Sequence, residues 1–360
     1  MIQTIAEILF ERMDGIEERA ELNRIQSYLN QIQPIFQSLY EKYPEQQTGL
    51  SVLRHPGKQL RGFLTFLIAN HLERIIGGPQ LSEHSLIHIA ASAELFHLFT
   101  LIHDDIIDRS EMRRGIPTAY QQVGASTAII LGDLLFCEAI NLLVLSVDQR
   151  YPLTDEHQTL RRIQNSLRCG TMLCEGQIWD IRSSELDHPN ITEYFHTIDL
   201  KTGIFFEFIA SSVLQLHPKA RAPLLRILHL FGRLFQVSDD FADVSQNLIQ
   251  VQKFRGTDIQ QGIKSLPIIL LINEPTLNEA DRIRLQDVLD RNCSEPLSKR
   301  VDIIRELCLR YEIVEASLRV LREILTSLNK ELDGLRSIDP LLVRIFDALR
   351  EIWCERITDV

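Results

Sequence analysis

The chain has 360 residues, of which 45% are hydrophobic and 24% are charged, a composition typical of a globular protein. Its 38 Lys and Arg residues against 49 Asp and Glu residues give a formal net charge of -11. This acidic balance argues against a generic nucleic-acid or anionic-membrane surface, because like charges repel. Any anionic ligand would therefore be bound by cations placed locally around it.

The N-terminus and the cysteines both bear on the compartment. The first residues carry no basic region, so neither a secretory signal nor a transit peptide is predicted. The six cysteines form no Cys-x-x-Cys pair, and a chain of this length folds without disulfides, so we expect reduced thiols and a cytoplasmic location. The most apolar stretch, residues 128–147, is interrupted by Asp133, Glu138 and Asn141. We therefore expect a buried helix there and no transmembrane segment.

Apolar residues recur with the 3.6-residue period of an α-helix along most of the chain. Five segments show this pattern: residues 86–107, 128–147, 191–216, 224–249 and 303–332. Prolines and glycines fall mostly between such segments, and no segment alternates with the two-residue period of a strand. No linker or repeat divides the chain, so we predict an all-α fold in one large helical bundle. Residues 1–50 would form an N-terminal helical layer of the same domain as residues 51–360.

Two segments carry an Asp-Asp-x-x-Asp pattern at the end of an apolar helix. They contain Asp104, Asp105 and Asp108, and Asp239, Asp240 and Asp243. Residues four apart share a helix face, so the first and last aspartates of each set point together. Clustered carboxylates repel one another, and all-oxygen ligands suit Mg²⁺, which also binds water and phosphate oxygens. One such set could be a solvated helix end, but two on strongly apolar helices predict a metal-bound, phosphorylated substrate.

Basic side chains recur around these motifs: Lys58, Arg61, Arg113, Arg114 and Lys201. Arginine matches phosphate oxygens bidentately, whereas lysine acts as a point charge. Each residue alone could be a solvated cation. Together, with His97 shortly before the first aspartate set, they could bind more phosphate than one metal cluster accounts for. No nucleotide-binding glycine loop, zinc-protease motif or nucleophile pair is visible.

These motifs resemble those of the trans-isoprenyl diphosphate synthases, the polyprenyl synthetase family, from about Gly57 to Arg356. The matching positions follow the family's order: Lys58 and Arg61, His97, the first aspartate set, Arg113 and Arg114, Gln177 and Asp180, Lys201 and Thr202, Gln236 with the second aspartate set, and Lys253. The resemblance implies a helical bundle around a deep central cavity, in a homodimer. It also implies head-to-tail condensation of isopentenyl diphosphate with an allylic diphosphate.

The resemblance further implies a role for each matching residue. Lys58, Arg61, His97 and Arg114 would bind isopentenyl diphosphate. Arg113, Lys201 and Gln236 would contact the allylic diphosphate, and Gln177 and Lys253 would also bind substrate. Lys201, Thr202 and Gln236 would be catalytic. The cofactor would be Mg²⁺, about three ions per active site, bound by Asp104, Asp108 and Asp239, with Asp105, Asp240 and Asp243 as further ligands or as residues that orient them.

Product length in this family depends on the side chains four and five residues before the first aspartate, here Thr100 and Phe99. Five residues along a helix span about 7.5 Å, so the Phe99 ring could close the cavity after a few isoprene units. Helix geometry places Phe99 about 140° from Asp104, so spacing alone does not show that the ring faces the cavity. The local sequence is most similar to short-chain members, and we predict a C20 product, with C15 next.

One position departs from the family. A lysine often follows the glycine that aligns with Gly262, but here Ile263 stands there and Lys264 comes one residue later. On a helix this shift rotates the side chain by about 100°, which would turn Lys264 away from the allylic diphosphate.

Three other functions stay open on the sequence alone. A class I terpene cyclase would not need a second diphosphate site, whereas a non-catalytic subunit of a heteromeric synthase would tolerate the change at Ile263. A purely structural helical protein would leave both aspartate sets unexplained.

Overall fold

The computed structural model describes residues 3–55, 57–148, 150, 156–185, 189–214, 217–244, 259, 262–290 and 293–358. Within its helices, the side chains of residues 184–185, 218–219, 242–244 and 356–358 are outside this description. Almost all of the regular structure is α-helical, so the all-α prediction is confirmed. The predicted central cavity and the division at residue 50 stay predictions.

The chain divides into two compact units. Unit 1 comprises Met1–Arg168, Glu207–Leu224 and Leu335–Ala348, and unit 2 comprises Cys169–Phe206, Leu225–Gly334 and Leu349–Val360.

The helices of the first half of the chain are α1 (Ile5–Arg12), α2 (Ile16–Lys42), α3 (Leu60–Ile76), α4 (Glu83–Ile107), α5 (Ala119–Leu145) and α6 (Glu156–Glu185). Short 3₁₀ turns cover Pro44–Gln46 and Ser51–Arg54. A short hairpin pairs the two-residue strands β1 (Met112–Arg113) and β2 (Ile116–Pro117) in antiparallel register. Strands of two residues are too short to show a two-residue periodicity in the sequence.

The second half contains α7 (Ile191–Ile198), a π-helical turn (Asp199–Gly203), α8 (Ile204–Val213) and α9 (Pro218–Val244). It continues with α10 (Leu266–Ile272), α11 (Glu279–Leu289), α12 (Leu297–Arg310), α13 (Ile313–Leu335) and α14 (Pro340–Thr358).

The core of unit 1 is built around α4, which packs against α2, α3 and α5. Buried residues of α2 recur at helical spacing, among them Leu22, Ile25, Leu29 and Ile32. Gly62 allows this contact, because a Cβ there would lie 3.0 Å from the Leu29 Cδ2 atom and 3.2 Å from the Ile32 Cδ1 atom. The N-terminal layer is thus packed onto α3, which contains Arg61 and begins two residues after Lys58.

Helix α5 is less buried than the sequence suggested. Leu131, Leu135 and Leu142 face the core, but Ile130 is 64% exposed and Leu145 is 50% exposed. By length and composition alone α4 and α5 could each cross a membrane, with 83% and 44% of their apolar windows buried. The predicted buried helix is therefore confirmed only in part, because apolar residues lie on both its buried and its exposed surface. The absence of a transmembrane segment stays a prediction.

In unit 2, a satellite core lies among α10, α11 and α12, where Ile268, Leu285 and Ile304 are buried. Elsewhere in this unit the α9 residue Phe231 packs edge-on against Trp353, with ring centroids 4.6 Å apart. This ring contact packs α14 against α9, which carries the second aspartate set.

Candidate active site

The first aspartate set occupies the C-terminal end of α4. Asp108 is the C-cap residue, and its N–H donates to the Asp104 carbonyl at 2.8 Å. The last turn of α4 contains no basic residue. A helix C-terminus carries partial negative charge, which adds to the repulsion between carboxylates at this end and favours a nearby cation.

The middle aspartate of this set has a protein partner. Asp105 is buried and accepts hydrogen bonds from Arg113 Nε at 2.8 Å and Nη2 at 2.7 Å. Burial raises the pKa of the Asp105 carboxyl, and the Arg113 guanidinium partly offsets this rise. Asp105 therefore orients Arg113 and the hairpin that carries it.

Arg114 follows directly in the hairpin turn, with φ of 54°. Its Nη1 donates to the His55 carbonyl at 3.1 Å. Gly57, with φ of 80°, leaves room for the guanidinium, because a Cβ there would lie 2.4 Å from the Arg114 Cζ atom. Arg114 therefore packs on Gly57, directly before Lys58.

Lys58 and Arg61 lie on either side of the start of α3. Lys58 is exposed, and its carbonyl accepts the Ile5 N–H at 2.8 Å, which ties α1 to this segment. Gln59 between them has φ of 52° and provides no side-chain cap for α3.

Glu94 supplies that cap from α4, a role that the sequence analysis missed. Its Oε1 accepts the Gly62 N–H at 2.7 Å, and its side chain is almost completely buried. Burial raises the pKa of the Glu94 carboxyl, although the positive charges of Arg61 and Arg114 work against this. A lone acidic residue inside the apolar run Ile89–Phe96 was the available signal. Glu94 is thus a buried carboxylate close to two of the predicted isopentenyl diphosphate cations, Arg61 and Arg114.

His97 lies one turn after Glu94 on the same helix. Burial, followed by the charges of Arg61, Arg114 and Arg113, lowers the pKa of His97 well below its usual value. The ring is therefore neutral at pH 7 and can serve as a hydrogen-bonding group rather than as a cation.

The two predicted chain-length residues lie in the packed part of α4. Phe99 is 7% exposed and packs edge-on against Phe96 and Phe136, with ring centroids 5.2 and 5.3 Å apart. The Thr100 hydroxyl donates to the His97 carbonyl at 2.8 Å. Phe99 is a core aromatic here, and its role in limiting the product stays a prediction.

In unit 2, α6 and the π-helical turn bring Asp180 and Lys201 together. Lys201 Nζ donates to Asp180 Oδ2 at 2.6 Å. Gly176 permits the close approach, since a Cβ there would lie 2.8 Å from the Leu200 Cβ and 3.0 Å from the Lys201 Cγ. The adjacent Gln177 has a buried Oε1 that finds no hydrogen-bond donor among the residues that the structure describes. The Gly-Gln-x-x-Asp motif thus positions the predicted catalytic lysine.

The second aspartate set lies at the C-terminal end of α9, whose last turn also lacks a basic residue. Its middle member, Asp240, is buried and accepts hydrogen bonds from Tyr194 Oη at 2.7 Å, Gln236 Nε2 at 2.8 Å and the Leu266 N–H at 3.1 Å. Burial raises the pKa of Asp240 to about 6, although these donors oppose the rise. Asp240 therefore caps α10 and orients Gln236.

Two of the predicted site residues, Lys253 and the side chain of Asp243, lie outside the described residues. The same holds for the side chain of Arg356, where the family resemblance ends. Lys264 calls for a correction, because Gly262 has φ of 69° and α10 begins only at Leu266. Lys264 is not on a helix, so the argument from a 100° rotation does not apply to it.

The donor chemistry of both aspartate sets fits a hard cation. Among the described side chains, no group of three or more His, Cys, Asp or Glu residues lies close enough to form a complete metal site. This agrees with the use of Asp105 and Asp240 in protein contacts. Mg²⁺ characteristically takes one or two carboxylates and completes its shell with water and substrate phosphate. The Asp104 and Asp108 pair and Asp239 fit that pattern.

The family model described as "Polyprenyl synthetase" matches residues 46–304. Among its relatives, the geranylgeranyl pyrophosphate synthase of Geoglobus acetivorans is 32% identical over 265 residues, 72% of this chain and 76% of that protein. The geranylfarnesyl diphosphate synthase of Aeropyrum pernix is 29% identical over 263 residues, 71% of this chain and 78% of that protein. The chain therefore belongs to the polyprenyl synthetase family and is a prenyltransferase, as its motifs predicted.

The fold agrees with this assignment. A solved decaprenyl diphosphate synthase from Rhodobacter capsulatus superposes with a TM-score of 0.74 at 21% identity, covering 93% of this chain and 99% of that chain. The family model begins at residue 46, so α1 and α2 precede it.

Replacement of Glu94 tests its part in this arrangement. We expect Glu94→Leu to lower the free energy of unfolding by about 2 kcal/mol, since it leaves the Gly62 N–H without its acceptor and removes a negative charge close to Arg61 and Arg114. Urea unfolding measures the loss. Glu83→Leu, at the exposed start of the same helix, should cost about 0.5 kcal/mol or less. Equal losses in the two variants would contradict the role given to Glu94.

Proposed function

We propose that this prenyltransferase condenses isopentenyl diphosphate head-to-tail with an allylic diphosphate in a Mg²⁺-dependent reaction, yielding an all-trans C20 product, with C15 next. The observation that carries the proposal is the placement of both aspartate sets at helix C-termini whose last turns contain no basic residue. Such sites favour a cation that an anionic substrate can share.

Isopentenyl diphosphate would bind to the cations of unit 1. Arg61 and Arg114 lie near the buried Glu94 carboxylate, which limits their mutual repulsion before the substrate arrives. His97 would donate a hydrogen bond, and Lys58 would add a charge at the exposed edge. A preorganised set of donors loses less conformational entropy on binding than flexible side chains do.

The allylic diphosphate would be the leaving group. When bound, Mg²⁺ would act as a Lewis acid that stabilises the negative charge on the departing diphosphate, with Asp104, Asp108 and Asp239 as its protein ligands. Lys201, fixed by Asp180, would bind the same diphosphate and favour ionisation electrostatically.

The hydrocarbon cation would be protected by carbonyl and hydroxyl oxygens. Gln236 donates its amide N–H to Asp240, which leaves its carbonyl oxygen as the end that can face positive charge. The Thr202 hydroxyl would serve in the same way. After the new carbon–carbon bond forms, the released diphosphate would accept the proton lost from the isopentenyl unit.

The direct test is incubation of the purified protein with Mg²⁺, isopentenyl diphosphate and, in turn, dimethylallyl, geranyl and farnesyl diphosphates. Mass spectrometry should find elongation that stops at C20 and is abolished by EDTA. A cyclic hydrocarbon from one allylic substrate alone would indicate a terpene cyclase. No turnover under any condition would indicate a non-catalytic subunit.

His97 gives a prediction about pH. Its pKa is lowered, so the ring is already neutral at pH 6.5 and stays neutral as the pH rises. We expect His97→Gln to keep the Michaelis constant for isopentenyl diphosphate within about threefold of the wild type, with a ratio between the two proteins that is constant from pH 6.5 to 8. A ratio that changes across this range would show that His97 titrates there.

Product length would be limited by the Phe99 ring. The two relatives described above are a geranylgeranyl and a geranylfarnesyl synthase, which supports a short product. We expect Phe99→Ala to give products longer than C20, because the cavity would gain the volume of a ring. Phe66→Ala removes a buried ring from α3 and should leave the product length unchanged. Unaltered products from Phe99→Ala would remove Phe99 as the limiting residue.

We further propose that the protein is a homodimer and that α5 contributes to the interface. Ile129, Ile130, Val144 and Leu145 of α5 are each at least 45% exposed. Exposed apolar residues along one helix are typical of a protein interface. The cytoplasmic location expected from the sequence stays a proposal as well.

The dimer prediction is tested by light scattering after size-exclusion chromatography. The wild type should have twice the chain mass, and Ile130→Glu should shift it toward the monomer because a charge would have to be buried. Ile338→Glu, at a comparably exposed position before α14, should remain dimeric. A monomeric wild type at micromolar concentration would refute the proposal.

A further inference from the structure

The predicted catalytic residues Lys201 and Thr202 lie on an unusual piece of backbone. Residues Asp199–Gly203 form a π-helical turn, in which the Ile204 N–H donates to the Asp199 carbonyl five residues earlier. Such turns are rare in proteins and are frequently found at functional sites. Their conformation needs support from surrounding contacts.

The side chain of Asp199 provides one such contact. It accepts two hydrogen bonds from Arg233 on α9, from Nε at 2.9 Å and from Nη2 at 2.5 Å. Burial works against a charged Asp199, but the His229 and Arg233 side chains lower its pKa to about 2. The pair is a fixed, bidentate contact between two partly buried groups, unlike the exposed single contacts that contribute little to a structure.

Arg233 makes a second contact, with an aromatic ring of α7. Its Cζ atom lies 4.9 Å above the Phe195 ring of α7, the helix that leads directly into the π-helical turn. The neighbouring α7 residue Tyr194 donates to Asp240 of α9. Helix α7 therefore contacts α9 at two successive residues, one beside Arg233 and one within the second aspartate set.

The π-helical turn also packs directly on α9, at a position where α9 carries a glycine. A Cβ at Gly232 would lie 3.3 Å from the Thr202 Cγ2 atom and 3.2 Å from the Phe206 ring. Gln236 follows Arg233 by one turn on α9. A shift of the turn along α9 would therefore move Lys201 and Thr202 relative to Gln236.

We propose that Asp199 and Arg233 form a positioning pair that holds the Lys201–Thr202 turn in register with α9 and so sets the affinity for the allylic diphosphate. This inference rests on the proposed function, which assigns Lys201 and Gln236 to that substrate. Neither Asp199 nor Arg233 contacts the substrate in this account. Isopentenyl diphosphate, bound by the cations of unit 1, would be unaffected.

The test compares Arg233→Met, Asp199→Asn and the double variant with the wild type at a temperature where all are folded. Each single variant should raise the Michaelis constant for geranyl diphosphate about tenfold and leave that for isopentenyl diphosphate within about twofold. The double variant should resemble the single ones, because both remove the same contact.

Two further variants separate positioning from general stability. Arg284→Met breaks a bidentate pair with Glu306 elsewhere in unit 2, and it should leave both constants unchanged. Arg233→Lys keeps the charge without the fork and should restore part of the affinity, with an effect of about threefold. If Arg233→Met fails to fold, Arg233→Lys and Asp199→Asn still test the proposal.

A binding measurement keeps this inference distinct from the proposed function. Calorimetry with the unreactive sulfur analogue of geranyl diphosphate and Mg²⁺ should show the same tenfold loss in Arg233→Met. Loss of analogue affinity in a protein without condensation activity would sustain the pair and overturn the function. Unchanged affinity, additive effects in the double variant, or equal changes for both substrates would overturn the pair.

Discussion

Carboxylates gathered at the negative end of a helix are the constraint on which this structure depends. Helices α4 and α9 both end in such a set, and neither last turn contains a basic residue. The dipole of each helix and the mutual repulsion of the aspartates act in the same direction, against the charged form. In the function proposed here, a divalent cation shared with a diphosphate would offset this cost.

The protein deals with each set in the same manner. The middle aspartate is buried and used internally, Asp105 to orient Arg113 and Asp240 to cap α10 and orient Gln236. Only the outer positions then fit a metal shell completed by water and phosphate. Glu94 is likewise a buried carboxylate that makes internal contacts. It caps α3 and compensates the positive charges of Arg61 and Arg114.

The sequence predicted the helical fold and the motif residues. Apolar periodicity indicates which face of a helix is buried, and the four-residue spacing of aspartates indicates which side chains share a face. It could not assign Glu94, whose role depends on α3 meeting α4, nor the Asp199–Arg233 pair, which joins residues 34 positions apart. The apolar composition of residues 128–147 predicted a buried helix, but several of its apolar side chains, such as Ile130, are exposed. The rotation argument about Lys264 is wrong because Gly262 has a left-handed conformation, and the chain becomes helical only at Leu266.

The most direct measurement of the central claim is calorimetric titration of inorganic pyrophosphate with and without Mg²⁺. If the carboxylate sets need a shared cation, Mg²⁺ should tighten pyrophosphate binding at least about tenfold, and Asp104→Asn or Asp239→Asn should remove most of that gain. Equal affinity with and without Mg²⁺, or a gain that survives both substitutions, would contradict the claim that these helix termini bind the metal.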